Sequence, residues 1–185
     1  MNIAVYSGSF NPLHIGHEAI LRTLTRDGLY DRVYLVVSPQ NPLKDASQNE
    51  SAAQRYAAAV EALARHPEIR AQADDIELGM EPPCYTIRTL DALSAREPGN
   101  RFTLVVGADN LANFTRWRDY ARILTEYGIA VYPRKGFHRG HLKAHLMKEN
   151  PNYRIRLLKA PRVDISSTWI REALSRGEDV SNWLM

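Results

Sequence analysis

The chain has 185 residues, of which 44% are hydrophobic and 24% are charged, and its formal net charge is +3. These values fit a single globular domain over residues 1–185 with a packed core, and disorder is not expected. A single cysteine, Cys84, excludes an internal disulfide, and no apolar stretch approaches the roughly 20 residues that span a bilayer. We therefore expect a cytoplasmic protein without a membrane partner.

Short apolar runs alternate with helix-like patterns along the chain. The runs "IAVY", "RVYLVV", "FTLVVG", "GIAVY" and "IRLL" predict five buried strands, and residues 76–78 are a candidate sixth strand. The helical patterns cover residues 15–26, 50–65, 86–95, 120–126, 140–148 and 167–175. Because strands that alternate with helices form βαβ units, we predict an α/β fold with a parallel sheet of five to six strands and helices on both faces.

The loop after the first strand carries the stretch "GSFNPLHIGH", residues 8–17. Ligands of open α/β sheets bind beyond the carboxyl ends of the strands, and Gly8 allows both a turn and a close ligand. The helix after Pro12 offers free N–H groups to a phosphate. His14 and His17 share a helix face and can donate hydrogen bonds to phosphate oxygens, more strongly when protonated. An ordinary turn explains either histidine alone, but the combination favours a phosphate site.

Other motifs for phosphate or metal binding do not match. The chain contains neither G-x-G-x-x-G nor G-x-x-x-x-G-K-[ST], which excludes a dehydrogenase fingerprint and a P-loop. Zinc-binding helices usually place their ligands four residues apart, whereas His14 and His17 are three apart. We therefore predict no metal ligands in the protein. His138, His141 and His145 form a further cluster, which we interpret as part of a surface helix.

A second candidate phosphate site is the stretch "DISSTWIREAL", residues 164–174. One hydroxyl is enough to cap a helix, so the three in succession at Ser166, Ser167 and Thr168 exceed what capping needs. Arg171 lies one turn further along the same helix, and its guanidinium can bind a phosphate through two hydrogen bonds. Capping alone remains the alternative interpretation.

Three further positions follow predicted strands. Asp109 in "VVGADN" can accept hydrogen bonds from ribose hydroxyls or cap the helix that follows it. Trp117 in "NFTRWRDY" lies three residues after Phe114, a spacing typical of a core pair, but its arginine neighbours favour an exposed ring that stacks on a flat ligand. The proline-containing loop "SPQNPLK" places Lys44 at the same edge of the sheet.

Together these stretches resemble a known family. "GSFNPLHIGH" and "ISSTWIR" resemble the two signatures of the HIGH-signature nucleotidyltransferase superfamily, in the same order and near the two ends of one domain. "SPQNPLK", "CYTIRTL", "GADN" and "FTRW" are similar to segments of bacterial nicotinate-nucleotide adenylyltransferases. The resemblance covers nearly the whole chain and implies a Rossmann-like, doubly wound sheet. Leu43 departs from the pattern, since many relatives place a histidine before the loop lysine.

The resemblance also implies a reaction. It is adenylyl transfer from ATP to nicotinate mononucleotide, which gives deamido-NAD and pyrophosphate in NAD biosynthesis. The substrate phosphate attacks directly, without a covalent enzyme intermediate, and Mg²⁺ binds with ATP. Chemistry of this kind relies on positioning and electrostatics, which fits a sequence without a recognisable nucleophile triad.

By matching position, the resemblance assigns roles to individual residues. The catalytic residues are His14, His17 and Arg171. The ATP-binding residues are Gly8, Ser9, Phe10, His14, His17, Asp109, Ile165, Ser166, Ser167, Thr168 and Arg171. The residues that bind nicotinate mononucleotide are Lys44, Tyr85, Thr86, Trp117 and Arg134, with Trp117 stacked on the ring and Tyr85 and Thr86 near its carboxylate.

Alternative functions remain open from the sequence. An adenylyltransferase of the same fold could act on nicotinamide mononucleotide or on phosphopantetheine, although phosphopantetheine offers no flat ring for Trp117. Residues 134–171 hold ten Lys or Arg and two acidic residues, so a non-enzymatic nucleotide-binding or RNA-binding module is the remote alternative. We expect ATP and nicotinate mononucleotide as partners and no nucleic acid. The oligomeric state stays open, a homo-oligomer included.

Overall fold

The computed structural model describes residues 1–39 and 51–185, and this part of the chain forms one sheet of six strands. The strands are β1 (Asn2–Gly8), β2 (Arg32–Val37), β3 (Ala71–Asp74), β4 (Arg101–Gly107), β5 (Ile129–Tyr132) and β6 (Ile155–Leu157). Their order is β3-β2-β1-β4-β5-β6, and all neighbouring strands are parallel. This is the strand order of doubly wound nucleotide-binding sheets, so the predicted fold class is confirmed.

Helices connect the strands. They are α1 (Ile15–Thr25), α2 (Ala52–Ala64), α3 (Thr86–Arg96), α4 (Ala108–Ala112), α5 (Tyr120–Arg122), α6 (Arg139–Glu149) and α7 (Ser167–Ser175). A π-helix, Ile123–Tyr127, continues α5 directly, and short 3-10 helices lie at Arg26–Gly28, Ile76–Gly79, Phe114–Arg116 and Ser181–Trp183. All six predicted helices are therefore present, within a few residues of the predicted ends. None of the helices in the described ranges is long and apolar enough to cross a membrane.

Two hydrophobic layers cover the two faces of the sheet. Ile3 and Val5 of β1 belong to the layer formed with α3, α4 and α6, whereas Ala4 and Tyr6 belong to the layer formed with α1 and α2. This alternation follows from the two-residue period of a strand, whose successive side chains point to opposite faces. Both layers are apolar, which explains why the strand sequences are continuous apolar runs rather than alternating ones.

One predicted strand is wrong. Residues 76–78 lie in the 3-10 helix Ile76–Gly79, and the strand in this region is β3, a few residues earlier in the chain. β3 has the sequence AQAD and, among residues 1–39 and 51–185, pairs only with β2, so it is an edge strand. An edge strand is less buried than a central one, and its polar sequence gives no apolar run from which to predict it.

The strand order reverses between β1 and β4, which are neighbours at the centre of the sheet. The chain passes from β1 to β2 and β3 on one side, and from β4 to β5 and β6 on the other. The loops after β1 and β4 therefore diverge and leave a crevice at the carboxyl ends of these strands. Such a crevice is the usual ligand site of an open α/β sheet.

Candidate active site

A cleft of about 730 Å³ opens at the carboxyl ends of β1, β4 and β5. Its walls come from the two signature stretches, from the start of α4 and from the loop after β5. Six of the predicted site residues line it, namely His14, His17, Asp109, Arg134, Ile165 and Ser166. The fold thus brings together residues from both ends of the chain.

The two histidines cap helix α1. The Nδ1 of His14 accepts a hydrogen bond from the N–H of Gly16 at 3.0 Å, and the Nδ1 of His17 accepts one from the N–H of His14 at 3.1 Å. The two imidazoles stack with 3.7 Å between their centroids. Because each Nδ1 is an acceptor, each neutral ring must carry its proton on Nε2. Both Nε2–H groups are therefore donors.

Both imidazoles are neutral at physiological pH. Burial, and to a lesser extent the charge of Arg134, lowers the pKa of His14 to about 4. Burial, His14 and Arg134 hold the pKa of His17 well below its ordinary value of 6.5. Protonation would also put a proton on Nδ1 and remove the acceptor of a helix-capping bond. In the free protein the pair acts as two neutral hydrogen-bond donors rather than as a cation.

Gly16 is required for this arrangement, a role that the sequence analysis does not assign. A Cβ at Gly16 would lie 2.8 Å from Cε1 and 2.9 Å from Nδ1 of His14. The imidazole of His14 therefore lies directly over the Cα of Gly16. The sequence does contain a signal for this role, because glycine lowers the stability of a helix. A glycine at the start of a predicted helix therefore indicates that another group packs closely against it.

The second signature contacts the first directly. Ser167 Oγ donates to the carbonyl of Pro12 at 3.0 Å, and a guanidinium nitrogen of Arg171 donates to the carbonyl of Asn11 at 2.6 Å. Ser166 caps α7, since its Oγ accepts from the N–H of Trp169 at 3.1 Å. The start of α7 therefore lies against the loop between β1 and α1. The N-terminal ends of the two helices, each with free N–H groups, meet at one place.

Arg171 keeps donors for a ligand. One guanidinium nitrogen bonds to Asn11 and the other donates to Thr168 Oγ1 at 3.2 Å. A guanidinium has five N–H donors, so three remain beyond these two bonds. Arg171 is partly buried and Thr168 is exposed, so the pair lies at the protein surface beside the cleft. The two bonds fix the orientation of the guanidinium, whose remaining donors are available to an anion.

Asp109 and Arg134 are neighbours in the lining of the cleft. Arg134 Nε lies 3.7 Å from Asp109 Oδ1, and this buried oxygen has no hydrogen-bond partner among residues 1–39 and 51–185. A Cβ at Gly107 would lie 2.4 Å from the same oxygen and 2.9 Å from the ring of Tyr132. The Asp109 side chain as a whole is 44% exposed, so its carboxylate can still accept a hydrogen bond from a ligand hydroxyl such as that of a ribose. The sequence analysis predicts that Arg134 contacts the nicotinate nucleotide. In the structure Arg134 lines the same cleft as His14 and His17, which are predicted to bind ATP.

The comparisons with known proteins agree with this geometry. A family model described as cytidylyltransferase-like matches residues 5–173. A curated protein of Cytophaga hutchinsonii, named "Probable nicotinate-nucleotide adenylyltransferase", is 36% identical over 180 residues, which cover 97% of this chain and 89% of that protein. A protein of the same name from Porphyromonas gingivalis is 38% identical over 184 residues, 100% of this chain and 89% of the relative. The chain belongs to the nicotinate-nucleotide adenylyltransferase family.

A solved structure shows the same fold. Plasmodium falciparum nicotinic acid mononucleotide adenylyltransferase, complexed with NaAD, has a TM-score of 0.77 and 19% sequence identity. The match covers 99% of this chain and 90% of that chain. At this low identity the likeness shows the fold alone, whereas the family is shown by the more similar relatives.

Tyr85, Thr86 and Trp117, which the resemblance places around the nicotinate ring, lie outside the cleft lining. Tyr85 precedes α3 without capping it, and the guanidinium of Arg118 lies 4.7 Å from the centre of its ring. Trp117 is partly buried and packs on the fully buried Phe114, with 4.7 Å between ring centroids. One side of Trp117 therefore belongs to the core, as the alternative interpretation holds, and the remainder is accessible. Thr86 is the first residue of α3.

The remaining predicted residues belong to the loop after β1 or fall outside the described ranges. Gly8 ends β1, and the carbonyl of Ser9 accepts a hydrogen bond from the buried Arg55 at 2.7 Å. Phe10 is 5% exposed. Its ring packs edge-to-face against the ring of His17, with 5.1 Å between the two centroids. Lys44 lies outside the described residues.

A second H-x-G-H stretch lies at the start of α6 but outside the cleft. His138 Nδ1 accepts from the N–H of His141 at 3.1 Å, and the two rings stack at 3.8 Å. Both are exposed, as is His145, so the predicted surface helix is confirmed. No group of three or more His, Cys, Asp or Glu within residues 1–39 and 51–185 could hold a metal ion. This pair offers an internal control for the pair in α1.

Proposed function

We propose that the protein transfers the adenylyl group of ATP to nicotinate mononucleotide and so produces deamido-NAD and pyrophosphate. The observation that carries the proposal is the direct contact of the two signature stretches, through Ser167 and Arg171, beside the stacked histidines. We infer that the two helix N-termini, the two imidazole donors and the guanidinium act together on one anion. The family membership supports a nucleotide as the anion.

The protein contributes to the reaction mainly by positioning the two nucleotides and stabilising charge on the phosphates, and it supplies no nucleophile of its own. The phosphate of nicotinate mononucleotide attacks the α-phosphorus of ATP, a new P–O bond forms, and the bond to the pyrophosphate breaks. The Nε2–H groups of His14 and His17 donate to ATP phosphate oxygens and stabilise the charge that develops on them. Arg171, Ser166, Ser167 and Thr168 hold the β- and γ-phosphates and the leaving pyrophosphate. None of these residues forms a covalent bond to the substrate.

We propose that Mg²⁺ enters with ATP rather than binding to the protein first. The donors at the cleft fit this arrangement, because two neutral imidazoles with Nε2–H groups and a guanidinium donate hydrogen bonds and cannot be metal ligands. Mg²⁺ prefers oxygen ligands, keeps several waters and commonly binds through substrate phosphates. When bound, it would supply charge neutralisation on the phosphates.

The middle of the chain supports nicotinate mononucleotide as the acceptor. Within the described residues no side chain caps the N-terminal end of α3, so its N–H groups can bind an anion such as the nicotinate carboxylate. Trp117, with one side on Phe114, offers the rest of its ring to a flat pyridine. Nicotinamide mononucleotide lacks the carboxylate, and phosphopantetheine lacks the ring. Both should be poorer acceptors.

Pyrophosphate release from ATP and Mg²⁺ tests the proposal with three acceptors: nicotinate mononucleotide, nicotinamide mononucleotide and phosphopantetheine. We expect kcat/KM to be highest for nicotinate mononucleotide, by at least about tenfold, since one lost anion contact is worth roughly 1.4 kcal/mol or more. Mass spectrometry of the product should show deamido-NAD. A preference for phosphopantetheine would contradict the acceptor assignment. No release with any acceptor, together with steeply salt-dependent RNA binding, would favour the RNA-binding alternative.

A further inference from the structure

Glu77 is a buried carboxylate with no role in the site described so far. It lies in the 3-10 helix Ile76–Gly79 and is 5% exposed. Its Oε2 accepts a hydrogen bond from Thr89 Oγ1 at 3.1 Å and another from Ser7 Oγ at 3.3 Å. Ser7 Oγ in turn lies 3.1 Å from Ser38 Oγ. One carboxylate thus joins hydroxyls from three separate elements.

Burial of this group is costly. Loss of water raises the pKa of Glu77, and within the described chain the opposing influences are hydrogen bonds from Thr89, Ser38 and Ser7 rather than a cation. An apolar side chain of similar size would avoid the desolvation cost. Hydrogen bonds to three elements have a directional effect that an apolar side chain lacks, since they fix the relative positions of those elements.

The three elements carry the two halves of the proposed site. Ser7 is the residue before Gly8, where the phosphate-binding loop begins, and Ser38 follows β2. Thr89 lies one turn into α3, whose first residue is Thr86. Ser38 is fixed a second time, because its carbonyl accepts from Arg55 at 2.8 Å, and the same guanidinium nitrogen donates to Ser9. Glu77 therefore connects the ATP loop to the helix that would bind the nicotinate carboxylate.

We propose that Glu77 is a positioning residue that sets the distance and angle between the ATP half and the acceptor half of the site. The proposal rests on the proposed function, since it assumes that Thr86 and Gly8 bind the two reactants. Glu77 touches neither substrate and acts through Ser7 and Thr89. Its removal should leave each half-site intact but misalign the attacking phosphate with the α-phosphorus.

Substitution of Glu77 by alanine and by glutamine tests the proposal. In Glu77→Ala we expect kcat to fall by at least about tenfold, because misplacement of reactants by about 1 Å can cost a hundredfold. The KM for ATP and the KM for nicotinate mononucleotide should each stay within about threefold of the parent, since neither half-site loses a contact. Glu77→Gln should keep kcat within about threefold, because its carbonyl oxygen can accept both bonds made to Oε2.

Asp74→Asn is the matched control. Asp74 is equally buried at 5% exposure and lies three residues away, but it pairs with Arg96 at 2.6 Å and not with the hydroxyls. Its Oδ1 also accepts from the N–H of Ile76 at 3.0 Å, a bond that the amide oxygen of asparagine can keep. We expect this variant to lose stability while keeping kcat. The stoichiometry with which each variant binds a non-hydrolysable ATP analogue gives the folded fraction, and kcat is divided by it. If Glu77→Ala does not fold, Thr89→Val breaks the link to α3 alone and should lower kcat in the same way.

Two outcomes would overturn the proposal: an unchanged corrected kcat in Glu77→Ala, or equal loss in Glu77→Gln and Glu77→Ala. Hydrogen exchange supplies a readout that needs no turnover. Amides of α3 beyond its first turn, which are hydrogen-bonded within the helix, should exchange faster in Glu77→Ala than in the parent and not in Glu77→Gln. If the parent fails to use nicotinate mononucleotide, the proposed function fails, while unchanged exchange in Glu77→Ala would separately reject the positioning role.

Discussion

The backbone N–H of His14 donates to the Nδ1 of His17 at 3.1 Å, and the two imidazoles stack at 3.7 Å. The backbone thereby fixes the tautomer of His17, and the Gly16 N–H does the same for His14. Both Nε2–H groups are set as donors before a nucleotide arrives, so little reorganisation is needed when charge develops on a phosphate. In each of the two rings, Nδ1 accepts a capping hydrogen bond and Nε2–H is the donor proposed for catalysis.

Loss of His17 should reduce turnover without unfolding the protein. In His17→Ala one donor to the phosphates disappears, and we expect kcat to fall by about a hundredfold to a thousandfold. The lost capping bond should lower the free energy of unfolding by only about 1 kcal/mol. His141→Ala removes the stacked third-position histidine of α6 and should leave kcat unchanged. Near-normal turnover in His17→Ala would remove this histidine from the catalytic set.

Gly16→Ala should act through the position of His14. The added Cβ would lie 2.8 Å from the imidazole, so the ring must move and its Nε2–H must leave the phosphate site. We expect kcat to fall by at least about tenfold, because a displaced donor no longer stabilises the developing charge. In Gly140→Ala the corresponding Cβ lies 3.3 Å from His138, and kcat should be unchanged. Steady-state kinetics of both variants and circular dichroism of their helices provide the comparison.

Sequence reasoning predicts the fold because the central strands are buried on both faces and are therefore continuous apolar runs. β3 escapes prediction because its burial depends on one neighbour only, β2, and its AQAD sequence is polar. The site is predicted where several unusual residues stand together, as at residues 8–17. The direct bond from Arg171 to the carbonyl of Asn11 joins residues 160 positions apart and depends on the tertiary fold.

Single residues inside apolar runs are the hardest to interpret from sequence. Glu77 lies between Ile76 and Leu78, so the pattern favours a strand with one polar outward side chain. In the structure this side chain is buried, since hydroxyls from β1 and α3 satisfy it. Gly16 and Gly107 are similar, because the atoms that exclude a Cβ there come from His14, Asp109 and Tyr132. Only the packed structure brings those atoms near.

The stability of the protein should decrease as the pH falls from about 6.5 toward 4. The pKa of His14 is about 4 in the folded protein and near 6.5 in the unfolded chain, so the unfolded chain binds the proton first. The part of the free energy of unfolding that depends on neutral His14 is therefore fully present above pH 6.5. It decreases as the pH falls toward 4, by up to about 3 kcal/mol. Urea unfolding at several pH values measures this slope.

His14→Asn isolates the contribution of His14 to that slope. Asparagine is a good N-cap and does not titrate, so the helix keeps its capping bond. Arg134, the charged group that lowers the pKa of His14, is retained. The variant should lose less stability than the parent between pH 6.5 and 4. Equal slopes in the two proteins would show that His14 keeps an ordinary pKa.

Arg171→Ala should weaken the use of ATP more than the binding of nicotinate mononucleotide. The guanidinium bonds to Asn11 and Thr168 and faces the expected pyrophosphate, so kcat/KM for ATP should fall by about a hundredfold. The Kd of nicotinate mononucleotide, measured by calorimetry, should change little. Arg176→Ala removes an exposed arginine at the other end of α7 and should change neither value. A larger effect on the pyridine nucleotide would contradict the phosphate assignment.

Trp117→Leu should raise the KM for nicotinate mononucleotide. Leucine can still pack on Phe114 but offers no flat ring, so the stacking contribution disappears while most of the core contact remains. We expect the KM for nicotinate mononucleotide to rise by about tenfold, which corresponds to about 1.4 kcal/mol of stacking. The KM for ATP should stay within about twofold, because Trp117 does not line the cleft that contains His14, His17 and Asp109.

The control for Trp117→Leu is another aromatic residue of the same core layer. Phe102 is 3% exposed and lies near the amino-terminal end of β4, whereas the loops that form the site follow the carboxyl ends of the strands. Phe102→Leu should lower the free energy of unfolding by about 1 kcal/mol without a change in either KM. A rise in the KM for the pyridine nucleotide in both variants would indicate a general loss of core order. An unchanged KM in Trp117→Leu would show that Trp117 is a core residue only, and the acceptor would then have to be recognised through α3 alone.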